Sequence, residues 1–168
     1  MRIRLYSAIL NWWRLLFASS RHRRNVHRSK GLIGKLQWIR TNSGEGAVIA
    51  YLRKTDPYVF EELILTAFER RGLLVRRGTH YSGDGGIDGM VRFKGEWYLI
   101  QAKRYKSHIN GQHVRDFDDR LEREDKKGFF IHTGKTGDGA RSGVTRGRSK
   151  IISGGRMVDL LLSDERFA

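Results

Sequence analysis

The chain has 168 residues, of which 39% are hydrophobic and 30% are charged, and its net charge is +15. A chain of this length forms one domain with a short appendage, and the large positive charge favours a polyanionic partner, either nucleic acid or an anionic membrane surface. It contains no cysteine, which excludes disulfide bonds and thiolate zinc sites and fits a cytoplasmic location.

The positive charge is concentrated near the N-terminus. Residues 1–44 contain ten lysines and arginines and no acidic residue. Residues 3–17 have a helical pattern, with Trp12 and Trp13 on the apolar side and Arg4 and Arg14 opposite, but the segment is too short to span a bilayer. We expect residues 3–30 to lie on an anionic membrane surface, peripheral at the inner membrane. The alternative is that the apolar face packs on the domain or on another protomer.

The next segments mark the expected domain boundary. Residues 21–30 form a basic block that we interpret as unpacked, either a solvated linker or a contact with lipid head groups or DNA phosphates. Residues 41–46 have the composition of a loop. We therefore predict a basic amphipathic extension over residues 1–45 and a folded domain over residues 46–168.

From residue 47 onward the patterns predict regular elements. Asp56-Pro57 is typical of a helix start, with aspartate as the cap, and Gly72 of a helix end. Helices are predicted at 47–54, 58–71, 111–127, 140–148 (weakly) and 157–162, and strands at 73–77, 87–93, 97–105, 129–133 and 150–152. This order predicts an α/β fold in which helices flank a mixed sheet.

One predicted β-hairpin carries the candidate site. A loop with four glycines, residues 78–86, leads to Asp88 on the first strand, and Gln101 and Lys103 lie on the second. Adjacent strands are about 5 Å apart, so a carboxylate, an amide oxygen and a lysine can meet there and hold a divalent metal beside a phosphate. A surface salt bridge is the simpler alternative. The glycines and the apolar surroundings of both charges favour a functional site.

These residues resemble a known family. Phe60-Glu61, Gly83-Asp84-Gly85-Gly86-Ile87-Asp88 and Gln101-Ala102-Lys103-Arg104-Tyr105 together are similar to the Mrr-like restriction endonucleases of the PD-(D/E)xK superfamily. The resemblance runs from about residue 51 to residue 162. It implies a restriction-endonuclease-like αβββαβ core, to which this chain adds its basic amphipathic helical extension.

The resemblance also implies residue roles. Asp88, Gln101 and Glu61 would bind Mg²⁺ or Mn²⁺, with Glu62 as the competing helix residue, and Lys103 would orient or deprotonate the attacking water. The candidates for contacts with DNA phosphates are Arg104, Lys106, Arg141, Arg146, Arg148 and Lys150. Asp84 is expected to brace the glycine loop, and His80, His108 and His113 are expected to be solvated.

The function implied is a metal-dependent DNA endonuclease of the restriction type, a hydrolase of phosphodiester bonds. The alternatives are a nuclease of DNA repair or junction processing and a non-catalytic, membrane-associated DNA-binding module. Cleavage of both strands would require two active sites, and hence a homodimer.

Overall fold

The structure is a computed structural model, which describes residues 20–78, 86–136 and 148–163, with side chains from residue 23 onward. The helices are α1 (Ser20–Leu52), α2 (Pro57–Arg70), α3 (Gly111–Arg123) and α4 (Gly154–Leu162). The strands are β1 (Leu74–Arg77), β2 (Gly89–Phe93), β3 (Glu96–Lys103), β4 (Lys127–His132) and β5 (Ser149–Ser153). The helix predicted over residues 3–17 lies outside the described residues, as does all but the last residue of the one predicted over 140–148.

The strands form one sheet in the order β1-β2-β3-β4-β5. The first three strands are antiparallel, and β4 and β5 continue the sheet in parallel with β3. The predicted α/β class and mixed sheet are therefore confirmed.

Helix α2 begins where the sequence predicts. Asp56 Oδ1 accepts hydrogen bonds from the amides of Tyr58 and Val59, at 3.0 and 3.2 Å, and Pro57 occupies the first turn. The helix ends before Gly72, whose φ of 87° suits glycine. Its buried side chains join β1, β2 and β3 in the main core, so the first turn of α2 has a fixed position beside the sheet.

The β2–β3 hairpin sets the register of the candidate site. Lys94 and Gly95 both have positive φ, as a two-residue type I′ turn requires. The register pairs Gly89 with Ile100, which brings Asp88 beside the end of β3. A Cβ atom at Gly89 would lie 2.7 Å from the carbonyl oxygen of Arg76, so only glycine lets β1 and β2 approach this closely.

Helix α3 covers the opposite face of the sheet. It is capped by Asn110, and its apolar residues pack on Leu99 and Phe130 in a second core cluster. It connects β3 to β4 in parallel, so Lys103 lies beside His132. All of β4 after Lys127 is buried, as its continuous apolar run predicts.

Helix α1 differs from the predictions for residues 21–30 and 41–46. Residues 21–30 are helical, and Asn25, Val26 and Ser29 are buried, with Ser29 Oγ 3.1 Å from Thr66 Oγ1 of α2. The interpretation of this block as unpacked is therefore wrong. Helix also flanks Gly44 on both sides within the predicted loop at residues 41–46. Gly44 itself is non-helical, with φ of 80° and ψ of 176°, so α1 consists of two helical halves that meet at a kink.

Both halves of α1 contribute to the main core. Ile33 and Leu36 lie before the kink, Val48 and Leu52 lie after it, and all four are buried in the same cluster. The division into an extension and a domain at residue 45 stays a prediction. No helix within the described ranges combines the length and apolarity needed to cross a bilayer.

Candidate active site

The candidate site lies where the glycine loop enters β2 beside the carboxyl end of β3. Asp88 is fixed by its backbone, because its amide donates to the Ile100 carbonyl at 2.9 Å and its carbonyl accepts from Gly78 at 3.3 Å. Its side-chain Oδ2 accepts a hydrogen bond from the Ala102 amide at 2.6 Å. The carboxylate is thus held against the strand that carries Gln101 and Lys103.

The side chain of Gln101 has a defined orientation. Its Nε2 donates to the Gly86 carbonyl oxygen at 2.8 Å. Because that carbonyl can only accept, the amide group faces it and Oε1 points away. Within the described part of the chain, Oε1 is buried and accepts no hydrogen bond. Burying an unpaired acceptor costs about 1–3 kcal/mol, so this oxygen is suited to receive a cation.

Gly86 permits this arrangement. Its φ is +85°, and a Cβ atom there would lie 2.4 Å from Gln101 Nε2 and 3.9 Å from Lys103 Nζ. Both side chains therefore lie directly against the backbone at the end of the glycine loop.

Electrostatics join Glu61 to the same site. Burial, followed by the negative charges of Asp88 and Glu62, raises the pKa of Glu61 to about 8, and Lys103 opposes this shift. Burial also raises the pKa of Asp88 to about 7, whereas the Ala102 amide and Lys103 lower it. The helix carboxylate, the strand carboxylate and the lysine thus influence one another, and without a cation the ionised carboxylates are disfavoured.

Lys103 and Asp88 do not form a simple salt bridge. Neither side chain takes part in an ion pair within the described residues, although Lys103 lowers the pKa of both Asp88 and Glu61. The ammonium group therefore lies within electrostatic range of two carboxylates and remains available for a phosphate or a water molecule.

Glu62 faces a different partner. It is 2% exposed and bonds to Arg77 at 3.1 Å, and Arg77 also contacts Glu69 at 2.8 Å and Thr66 at 3.4 Å. This buried network ties the last residue of β1 to α2. Of the two adjacent acids that the sequence left in competition, Glu62 is bonded to Arg77, although its charge also raises the pKa of Asp88. Glu61 as the metal ligand stays a prediction, and the charges of Asp88 and Lys103 act on its pKa.

The donor set fits a divalent cation. Two carboxylates and an amide oxygen are hard oxygen ligands of the kind that Mg²⁺ and Mn²⁺ prefer. No group of three or more histidine, cysteine, aspartate or glutamate side chains suited to a metal occurs among residues 20–78, 86–136 and 148–163. That leaves a mixed donor set of Asp88, Glu61 and the unpaired Gln101 oxygen.

The predicted phosphate-contacting residues do not form one surface. Lys106 is exposed three residues beyond Lys103. Arg104 instead donates a hydrogen bond to the Arg53 carbonyl at the end of α1, and its Nε is buried. Arg148 pairs with Asp125 at 2.8 Å near the amino end of β4, at the opposite end of the sheet from Lys103. Lys150 is exposed in the first half of β5, and Arg141 and Arg146 lie outside the described residues.

Several polar contacts at this end of the sheet were not predicted. Arg53 Nε donates to the Thr133 carbonyl at 3.0 Å, and no local pattern in the sequence predicts this contact. His132 is buried; its Nδ1 accepts from the Gly134 amide at 3.1 Å, and its Nε2 lies 3.3 Å from Thr136 Oγ1. Burial lowers the pKa of His132 to about 4.

Three histidines and one aspartate were expected to take no part in the chemistry, and the structure describes two of these four residues. His113 Nδ1 lies 2.7 Å from the hydroxyl of Tyr105, and His108 is exposed. His80 and Asp84 lie outside the described residues.

Comparisons with known proteins agree with this architecture. The solved structure of the MspJI restriction endonuclease in complex with a 27-mer oligonucleotide matches with a TM-score of 0.55 and 24% identity. The match covers 71% of this chain and 31% of that chain, and at this identity it shows the fold. A search of curated protein sequences found no match. The family model Mrr_cat, described as "Restriction endonuclease", matches residues 52–161. Because this match includes the whole sheet and the candidate site, the chain belongs to the Mrr-like restriction endonuclease family.

Proposed function

We propose that the protein is a metal-dependent DNA endonuclease of the restriction type, which uses Asp88, Glu61 and Gln101 to bind Mg²⁺ or Mn²⁺. The observation that carries the metal assignment is the buried Gln101 Oε1, which has no hydrogen-bond partner among the described residues. The raised pKa values of Asp88 and Glu61 support it, because burial is their main cause and a bound cation would stabilise the ionised form of both buried carboxylates.

The side chains have distinct tasks in this proposal. When bound, a divalent cation withdraws electron density from the phosphodiester and makes a nearby water more acidic. Lys103 neutralises charge that develops on the phosphate and orients the attacking water. The Ala102 amide holds Asp88 in place, and the Gly86 carbonyl keeps the Gln101 oxygen turned away from the loop.

DNA as the substrate is supported by the family and by charge. The matched structure holds an oligonucleotide bound to MspJI, and the present chain has a net charge of +15. Cleavage of both strands would require two copies of the site, so a homodimer, or transient pairing on DNA, belongs to the proposal. The membrane tether at residues 3–30 stays a prediction.

Plasmid cleavage tests the assignment. Supercoiled DNA is incubated with the protein and Mg²⁺ or Mn²⁺, and nicked and linear products are measured over time. We expect Asp88→Asn and Lys103→Met each to lower the rate by at least about 100-fold, the order expected when a group that stabilises the transition state is removed.

Two matched controls lie at the other end of the sheet. Asp125→Asn and Lys127→Met repeat the same chemical changes at exposed residues, and they should cleave like the wild type. Cleavage that survives both site variants, or that is unchanged by a chelator, would overturn the proposal. Metal-independent DNA binding without cleavage by the wild type would favour the non-catalytic binding module.

A further inference from the structure

We propose that the exposed side of α1 binds the phosphate backbone of duplex DNA, outside the candidate active site. This basic face consists of Arg24, Arg28 and Lys35, and Arg23 and Lys30 are two more exposed cations on the other flank of the helix. The inference takes DNA as the ligand from the proposed function, but it concerns a separate surface and a separate measurement.

The five cations face solvent and are not neutralised. All five side chains are exposed, and none forms an ion pair within the described part of the chain. The first acidic residue of the chain is Glu45, so no acidic residue of α1 lies among these cations. Lys35 has one neighbour, the ring of Tyr51, whose centroid lies 4.8 Å from Nζ.

The spacing of the cations suits a phosphate backbone. At 100° per residue, Arg24, Arg28 and Lys35 lie within about 40° of one line along the helix, and they span about 16 Å. Gly31 lies on the same line, and nothing is within 4 Å of the position that its Cβ would occupy. Duplex DNA carries about one negative charge per 1.7 Å of its axis. This row of cations is therefore long enough to contact several phosphates, and no side chain at Gly31 stands between them.

The inward side of the helix is already occupied by the protein itself. Val26, Ile33 and Leu36 are buried, and Ser29 contacts Thr66 of α2. A helix that binds a membrane surface needs a free apolar face. Among the described residues, Trp38, at 64% exposure, is the one large hydrophobic side chain that is exposed. A single tryptophan does not make such a face, so the chemistry of the described part of α1 favours DNA over lipid.

The basic face is connected to the nuclease core by a short series of contacts. Ser29 bonds to Thr66, Thr66 bonds to Arg77, and the residue after Arg77, Gly78, donates to the carbonyl of Asp88. These contacts fix α1 against the helix and the strand that lead into the candidate site, so DNA held along α1 would have a fixed position relative to that site.

Salt-dependent binding tests this surface. A fluorescent duplex is titrated with the full chain in the presence of a chelator, and the dissociation constant is measured by anisotropy across a series of salt concentrations. The test variant combines Arg24→Gln, Arg28→Gln and Lys35→Gln. The control variant removes the same charge with Arg92→Gln, Arg115→Gln and Lys127→Gln, which are exposed residues on other elements.

The expected result is specific to the test variant. Each lost phosphate contact lowers the slope of log K against log salt by about 0.9, so loss of two or three contacts should lower it by about 2–3 and weaken binding at least about tenfold. An unchanged slope and affinity, or an equal loss in the control variant, would refute the proposal. If the test variant kept its DNA affinity but lost binding to vesicles that contain phosphatidylserine, the surface would be a membrane site and the proposal would be wrong.

The nuclease proposal and the DNA-surface proposal can be refuted independently of each other. Binding is measured without divalent cations, so it does not depend on cleavage. A protein that binds through the basic face but never cleaves would refute only the nuclease, whereas cleavage with unchanged binding of the test variant would refute only the DNA surface.

Discussion

Replacing Asp88 with asparagine removes one negative charge from the candidate site while it keeps an oxygen that can accept the Ala102 amide. Burial raises the pKa of Asp88 from 3.8 to about 7 in the folded protein. The folded state therefore binds more protons than the unfolded state, and the stability of the metal-free protein should fall as the pH rises from about 4 to 7. Glu61, with a pKa of about 8, acts in the same direction.

The expected size follows from the change in proton affinity. A tenfold change in the proton-binding constant, or one pKa unit, corresponds to about 1.4 kcal/mol. The rise in the pKa of Asp88 from 3.8 to about 7 therefore corresponds to about 4 kcal/mol. We expect about 2 kcal/mol from Asp88 alone, because Asp88 titrates together with a neighbouring acidic group. Asp88→Asn should therefore stabilise the metal-free protein by about 2 kcal/mol at pH 8 and leave its stability nearly unchanged at pH 4.

Urea denaturation with a chelator measures this difference. Adding Mg²⁺ or Mn²⁺ at pH 8 should then stabilise the wild type, because the folded state binds the cation, and should stabilise the variant much less. Asp125→Asn, an exposed residue paired with Arg148, is the control and should show no such pattern. If Asp88→Asn lowered stability equally at both pH values, Asp88 would not have a raised pKa in the folded protein and the reasoning would be refuted.

Three further predictions use other parts of the fold. Gly86→Ala should displace Gln101, since the new Cβ would lie 2.4 Å from Nε2, and lower plasmid cleavage at least about tenfold; a wild-type rate would contradict this. Burial lowers the pKa of His132 to about 4, so protonation favours the unfolded state, and stability should fall by up to about 3 kcal/mol as the pH drops from 6.5 to 4. His132→Asn keeps an acceptor for the Gly134 amide, and its urea midpoint should not show this loss of stability between pH 6.5 and 4. A chain that begins at Gly46 loses Ile33 and Leu36 from the core and should lose about 3–6 kcal/mol of stability; equal stability would support the boundary at residue 45.

The sequence predicted the parts of the fold that local chemistry determines. Asp56 and Pro57 predict the start of α2. The hairpin was predicted as well, with a turn over residues 94–96, whereas in the structure the turn is Lys94-Gly95 and Glu96 already belongs to β3. Once the register of the hairpin is known, Asp88 lies beside Gln101 by geometry alone. The choice between Glu61 and Glu62 depended on which side of α2 faces Arg77, and that is a contact between separate elements.

Helix α1 was misinterpreted because its buried side is not strongly apolar. Asn25 and Ser29 are buried beside Val26, and Ser29 contacts Thr66 of α2, so a search for hydrophobic periodicity finds only one apolar residue among the basic and polar residues 21–30. Gly44 suggested a loop, whereas it marks a kink. Arg104 was expected to face DNA, but its partner is the Arg53 carbonyl, which lies far away in sequence.

The candidate site gathers its groups from the first turn of α2, the loop before β2 and the end of β3. These parts meet only after the antiparallel strands have paired and α2 has packed on them. Such non-local contacts form late compared with helices and single turns. A chain still being synthesised, or one that has partly unfolded, would hold Glu61 and Asp88 apart. Assembly of the site from separate elements therefore makes the proposed hydrolytic activity conditional on a folded core, which matters for a nuclease whose proposed substrate is also the genome of its own cell.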